Sequence, residues 1–343
     1  MLEAPNLPPD LLAGFVQRAY GLSVRQIDFL PLGADVNTAV FRVCAGDGCY
    51  FLKLRSGAFA EASVALPALL VAQGNAHVVP VVPTITGEWH SSIEPFTAIL
   101  YPFVEGRDGF SVRLSPAQWH DLGAAFRHLH AAEVPAGLLE RIPAERYSPI
   151  ARDAVLAALE AADAMDAVTA KDAITRDVVA LLRDQRTIII DLVARAGRLA
   201  RALQSQPPAF VVCHGDIHAG NILIDNDDRL FVVDWDTLAR APKERDLMYF
   251  GGGQGFVGYT AEEERALFFA GYGDCAINED ALAYYRYERI VQDIYAFCNE
   301  LLSSEGDGDD RRQSLKWLAG NFAAGGVIDV AYAADRSQET GQV

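Results

Sequence analysis

Three oxygen-bearing side chains fall where short apolar runs stop. Asp216 and Asn221 lie in His214-Gly-Asp216-Ile-His218-Ala-Gly-Asn221, between the Val- and Ile-rich runs 210–213 and 222–224, and Asp234 follows directly on a third run that ends at Val233. Asn226-Asp227-Asp228 between the second and third runs has the composition of a chain reversal. A hairpin there brings the three side chains together. Transfer of a phosphoryl group to a hydroxyl calls for such a set: one carboxylate to orient the hydroxyl and take its proton, with an amide and a second carboxylate to hold Mg²⁺ on the nucleotide phosphates.

Lys53 stands upstream in Tyr50-Phe-Leu-Lys53-Leu, a charge inside an apolar strand-like run. That placement is costly unless the ammonium meets an anion, and nucleotide phosphates are such a partner. Glu61 follows in an Ala-rich helical segment that Pro67 is expected to kink or restart. Ahead of the lysine, Gly33-Ala34-Asp-Val-Asn37 reads as a loop between strands. Its two small residues let backbone N–H groups approach a phosphate, although no Gly-x-Gly-x-x-Gly is present.

The elements that must position these groups change character along the chain. Residues 8–20 read as an amphipathic helix, and 27–30, 38–44, 49–54, 77–82, 88–93 and 96–101 as strands of a small antiparallel sheet. The last strand runs into Tyr101-Pro102-Phe103-Val104. Pro102 has no N–H, so a main-chain donor to a base there must be Phe103 or Val104. From Ser115, which can cap a helix with Pro116 at its first position, the pattern is helical. Residues 150–205 read as two or three helices broken near 163–173, and 280–302 as one long helix. On that long helix Glu288, Gln292, Tyr295 and Asn299 share one stripe and Ile290, Ile294, Phe297 and Leu301 another. The acidic, aromatic stripe suits an ammonium group through charge and cation–π contact.

With 343 residues, 51% of them hydrophobic and 22% charged, the chain can build two lobes with substantial cores. A net charge of −17 argues against nucleic acid and anionic membrane as partners and suits a cationic small molecule. The N-terminal residues lack a basic segment followed by an apolar one, and no run is long enough to span a bilayer. Five cysteines, Cys44, Cys49, Cys213, Cys275 and Cys298, have no metal-type spacing, and a cytoplasmic location with reduced thiols is expected. Cys44 and Cys49 flank a tight turn and can face each other across a hairpin; in a reducing compartment they read as plain strand residues. The histidines His120, His128 and His130 show no ligand spacing.

Asp-x₄-Asn, a strand and a further Asp form the spacing of a protein-kinase catalytic loop. With its neighbouring letters, His-Gly-Asp-Ile-His-Ala-Gly-Asn and Val-Val-Asp234-Trp-Asp236, the stretch resembles the aminoglycoside phosphotransferase family of small-molecule kinases. The resemblance implies an α+β, two-lobed protein-kinase-like fold. Residues 1–104 would form the nucleotide-binding N-lobe, an antiparallel sheet with a helix. Residues 105–343 would form a larger, mainly α-helical C-lobe with the catalytic loop, metal site and acceptor pocket. It makes Asp216 the catalytic residue, Asn221 and Asp234 the Mg²⁺ ligands, and Lys53, paired with Glu61, the phosphate-binding lysine. Gly33 then belongs to the phosphate loop, Phe103 and Val104 to the adenine-binding hinge, and Asp246 braces the catalytic loop.

Gly33-Ala-Asp-Val-Asn37, the segment from Ala241 to Gly253 and Tyr284-Tyr-Arg-Tyr-Glu288-Arg-Ile-Val-Gln-Asp-Ile further resemble the branch of that family that phosphorylates spectinomycin. This implies ATP- and Mg²⁺-dependent phosphorylation of a hydroxyl on an aminocyclitol or aminoglycoside antibiotic, and resistance by modification. Asp236 and Glu288 are the residues expected to bind the substrate's amines. The same catalytic set serves a metabolite kinase acting on choline, a sugar or an amino alcohol. A non-catalytic nucleotide-binding protein is the third reading, against which the presence of Lys53, Asp216, Asn221 and Asp234 counts. The residues do not choose between ATP and GTP, and they carry no sign of oligomeric state.

Overall fold

A period of two along the N-terminal strands sorts their residues onto two faces of one sheet. The computed structural model describes residues 4–32, 37–46, 48–165 and 172–340; Gly33 and Ala34, expected to approach a phosphate, lie outside them. Strands β1 (Val24–Leu30), β2 (Thr38–Ala45), β3 (Gly48–Ser56), β4 (Ser91–Ile93) and β5 (Phe96–Pro102) form an antiparallel sheet in the order β1-β2-β3-β5-β4. Ala39, Phe41, Val43, Leu52, Leu54, Ala98 and Leu100 bury one face against Leu12, Phe15 and Val16 of helix α1 (Pro9–Tyr20). Each large apolar side chain so buried is worth ~1.5–3 kcal/mol. The alternate residues share the opposite face. In register, Val40 pairs with Lys53, Lys53 with Ile99, and Phe51 with Tyr101, so the lysine stands among apolar and aromatic neighbours.

Helix α2 (Ala62–Ala72) runs through Pro67 as one element and does not restart there. The strand expected over 77–82 is reduced to a single parallel bridge from Val78 to Val232, since Pro80 and Pro83 deprive that stretch of donors. Cys44 and Cys49 sit directly opposite each other in the β2–β3 register and are joined by a disulfide, with Cα atoms 4.1 Å apart. This corrects the reading of both as reduced thiols; opposed positions of a hairpin bring their side chains together whatever the expected compartment.

The fold is α+β and protein-kinase-like, with an N-terminal antiparallel sheet and helix and a larger, mainly helical C-terminal lobe. Packing groups the chain into two compact units. The first comprises Met1–Pro143, Asp216–Leu238 and Phe268–Gly273. It contains the five-stranded sheet, helices α3 (Pro116–His130) and α4 (Ala136–Leu139), and a sheet ordered β6-β8-β9 from β6 (Gly106–Asp108), β8 (Ile222–Asp225) and β9 (Leu230–Val232). The segment holding Asp216, Asn221 and Asp234 is thus grouped with the N-terminal sheet. The second unit comprises Ala144–Gly215, Ala239–Leu267 and Asp274–Val343. Strands β7 (Val211–Cys213) and β10 (Ala239–Ala241) pair in it. Helices α5 (Ile150–Ala164), α6 (Ala173–Asp184) and α7 (Arg186–Ser205) precede β7; α8 (Glu244–Leu247) and α9 (Ala261–Tyr272) follow β10. The longest helix, α10 (Glu279–Ser303), packs against α5, α7, α11 (Asp309–Gly320) and α12 (Val327–Thr340).

In the first unit α3 and the end of α9 meet backbone to backbone. A Cβ on Gly123 would strike the Phe268 carbonyl, and one on Gly271 would strike the His120 carbonyl. Both obstacles are main chain and cannot swing aside. Gly271→Ala is therefore expected to cost ~1–3 kcal/mol, read as a lower urea midpoint; an unchanged midpoint would mean that these helices are free to separate.

Candidate active site

Pairing of β8 with β9 carries the loop residues to one end of a hairpin. Ile222 lies opposite Val232, and Val233 N–H donates to the Asn221 carbonyl at 3.0 Å, so Asp234 comes one residue after the partner of Asn221. Asn221 closes a 3₁₀ turn, Ala219–Asn221, that is capped by His218, whose Nδ1 accepts from Gly220 N–H at 3.0 Å. The Asn221 amide nitrogen donates to the Asp216 carbonyl at 2.7 Å. Its nitrogen is spent on the loop, and its oxygen is the atom suited to a cation. Asp234 sits in left-handed backbone, φ 62° and ψ 71°, ahead of the 3₁₀ turn Trp235–Thr237. For a residue with a Cβ this costs ~1–3 kcal/mol and is characteristic of functional sites. Trp235, buried with its indole N–H on the Val232 carbonyl at 3.3 Å, holds the turn in place. An amide oxygen and a half-exposed carboxylate form a hard-oxygen pair, and these donors fit Mg²⁺.

Lys53 reaches this turn. Its side chain is 9% exposed, and Nζ lies 2.8 Å from Asp234 Oδ1 and 2.8 Å from Asp236 Oδ2. Burial alone would lower the ammonium's pKa, but the two carboxylates outweigh it and hold the lysine charged. Asp236, 17% exposed, also accepts from Arg55. Glu61, expected to hold the lysine, instead pairs with Arg141 beyond α4, both of them exposed. Two positions of the loop turn therefore replace one helix glutamate. Asp236, expected at a substrate amine, thus already meets two cations, Lys53 and Arg55.

Of the two expected hinge donors, Phe103 is occupied: its N–H extends the β3–β5 pairing by donating to the Cys49 carbonyl at 3.1 Å. Val104 is left as the candidate for contact with a base. The Phe103 ring lies under the Arg42 guanidinium, 4.8 Å away, while Arg42 pairs with Glu105. Asp216, which follows Gly215, has His218 Nε2 4.0 Å from its carboxylate, and Phe110 stacks on the His218 ring at 5.5 Å. Nothing in the sequence pattern gave His218 a task; only the folded loop shows it as a cap and a neighbour of Asp216.

In the second unit the residues leading into Asp216 are clamped. The wholly buried Asp246 carboxylate accepts from His214 N–H at 2.9 Å and Gly215 N–H at 2.7 Å. Tyr249 Oη donates to the Gly215 carbonyl at 3.1 Å and accepts from Arg289 at 2.7 Å. Glu288 is 3% exposed and pairs with the equally buried Arg152, which also donates to the Tyr147 carbonyl at 2.9 Å. Burial raises the Glu288 pKa against the opposing pull of Arg152. For Glu288 to meet a substrate amine, as expected, this carboxylate would have to be shared with Arg152. Its partner came from a helical stretch in which the sequence showed no chemistry.

The family model described as the phosphotransferase enzyme family matches residues 28–285. No curated protein sequence matches the chain. Among solved structures, spectinomycin phosphotransferase APH(9)-Ia in complex with ADP and spectinomycin is similar over 96% of this chain and 99% of that one, at 30% identity and a TM-score of 0.88. The AMP-bound complex of that enzyme is similar at 29% identity over 94% and 98%, with a TM-score of 0.84. A microcompartment-associated aminopropanol kinase, 16% identical over 96% and 97%, shares the fold with a TM-score of 0.59.

Proposed function

The chain belongs to the phosphotransferase enzyme family and phosphorylates a hydroxyl group, and from that premise we propose that it uses ATP and Mg²⁺ to phosphorylate an aminocyclitol antibiotic of the spectinomycin type. The observation that carries the proposal is the likeness, over nearly the whole of both chains, to an enzyme holding ADP and spectinomycin. The net charge of −17 supports a cationic acceptor. Residues 1–104 would bind the nucleotide, with Val104 offering its N–H to the base, and 105–343 would supply the rest of the reaction. We place the enzyme in the cytoplasm, where ATP is available. Among the described residues no helix is long and apolar enough to cross a membrane.

In this mechanism Asp216 orients the acceptor hydroxyl and takes its proton late, and positioning with charge neutralisation carries most of the rate. Asn221 Oδ1 and the Asp234 carboxylate would hold Mg²⁺, which neutralises charge on the phosphates when bound. Lys53 supplies a fixed positive charge for the phosphates that are not transferred. Asp246 and Tyr249 keep the main chain before Asp216 from drifting.

A panel of acceptors assayed for ADP release tests this reading. Spectinomycin is expected to stimulate release well above the acceptor-free rate, with choline, ethanolamine, 1-amino-2-propanol and simple sugars near background. Release with an amino alcohol but not with spectinomycin would replace the antibiotic by a metabolite and leave the kinase chemistry standing.

A further inference from the structure

We propose that Asp236 is the residue that positions Lys53 for the nucleotide, anchored from behind by Arg55, and that this chain persists when Asp234 turns to the metal. The inference rests on the kinase reading above. Lys53 is shared equally, at 2.8 Å from each of two carboxylates, but the two carboxylates are unlike. Asp234 is half exposed, follows the strand end next to Asn221, and is the one whose oxygens a metal would claim. Asp236 is 17% exposed and lies within the Trp235–Thr237 turn, which packs against α2 and is pinned by Trp235.

Were Asp234 the only partner, the buried ammonium would lose its anchor at the moment the metal arrived. Asp236 prevents that. Arg55 holds it from the same face of β3, since residues two apart on a strand point the same way. Arg55 is itself fixed by donating to the Ala58 carbonyl at 3.1 Å. Glu61 makes its ion pair with Arg141, on a different element from the lysine.

The charges support the same assignment. Lys53 and Arg55 against Asp234 and Asp236 make a neutral group. Once Asp234 is engaged by a metal, Lys53 and Arg55 share Asp236 alone, and the group presents net positive charge to the phosphates. In a chain of net charge −17 that local reversal favours a polyanion.

Asp236→Asn keeps the shape of the side chain and removes its charge. The dissociation constant of ATP is measured without and with Mg²⁺, together with kcat and KM for ATP and for the acceptor. Asp236→Asn is expected to weaken ATP binding about 10- to 100-fold in both conditions and to leave the acceptor KM unchanged. Its loss should exceed that of Glu61→Gln, and Asp236→Glu should recover part of it. Arg55→Gln, which removes only the outer anchor, should weaken ATP in the same direction by less and keeps the test open if Asp236→Asn folds poorly. Wild-type ATP affinity in Asp236→Asn overturns the proposal alone, as does a loss that appears only with Mg²⁺ and is repaired by raising its concentration, which would make Asp236 a metal ligand. Failure of the wild-type protein to bind ATP at all overturns the kinase reading and this proposal with it.

Discussion

Replacing Asp216 by Asn should lower kcat by about 10²- to 10⁴-fold and leave ATP affinity within a few-fold of wild type. The two effects separate because of where the loop's bonds are made. Asn221 is held by the main-chain carbonyl of Asp216, not by its carboxylate, so the substitution keeps the contact that orients the Asn221 side chain. Lys53 and its two carboxylates belong to the neighbouring turn and are likewise untouched. Only the carboxylate proposed to orient and deprotonate the acceptor is lost. Steady-state phosphorylation and nucleotide titration on the same preparation check both halves. Wild-type kcat would remove Asp216 from the mechanism, and loss of ATP binding would place it on the nucleotide.

Glu288→Ala carries the largest expected cost in stability, ~3–5 kcal/mol. It strands the Arg152 guanidinium in a position only a few per cent exposed, with the Tyr147 carbonyl as a remaining partner. Replacing both partners by Met should recover most of the loss, since a well-packed apolar pair removes the desolvation cost together with the attraction. Chemical denaturation of the two single variants and the double one reads the effect directly. A normal midpoint in Glu288→Ala combined with a raised acceptor KM would return Glu288 to the substrate.

The sequence marked the β8–β9 hairpin clearly because its geometry is local. Strand ends, the Asn226-Asp227-Asp228 reversal and the pairing of Ile222 with Val232 all follow from residues within a short span. The face on which Lys53 stands was equally legible, since the parity of a strand fixes it. Partner choice was not. Glu61 was expected beside the lysine and Asp236 at a substrate amine; in the fold Arg141 engages Glu61, while Asp236 meets both Lys53 and Arg55. Helical periodicity correctly placed Glu288 and Ile290 on different stripes of α10, yet both are buried, because α5, α6, α7, α8, α11 and α12 all pack against this helix. A stripe tells which residues travel together; it does not tell whether the far side is covered. The Cys44–Cys49 bond was missed for another reason, that an argument from compartment was set against the plain geometry of a hairpin.

The ion pair between Lys53 and Asp234 joins residues 181 positions apart, and this separation governs when the site comes into being. Closing so long a loop costs entropy that only prior packing can offset, so the pair belongs among the late contacts of folding. During synthesis the N-terminal sheet has all five of its strands long before residue 234 exists. From the completion of β5 until residue 234 is made, the growing chain has Lys53 but neither Asp234 nor Asp236 to meet it. The pairing of Lys53 with the two aspartates must await that later segment.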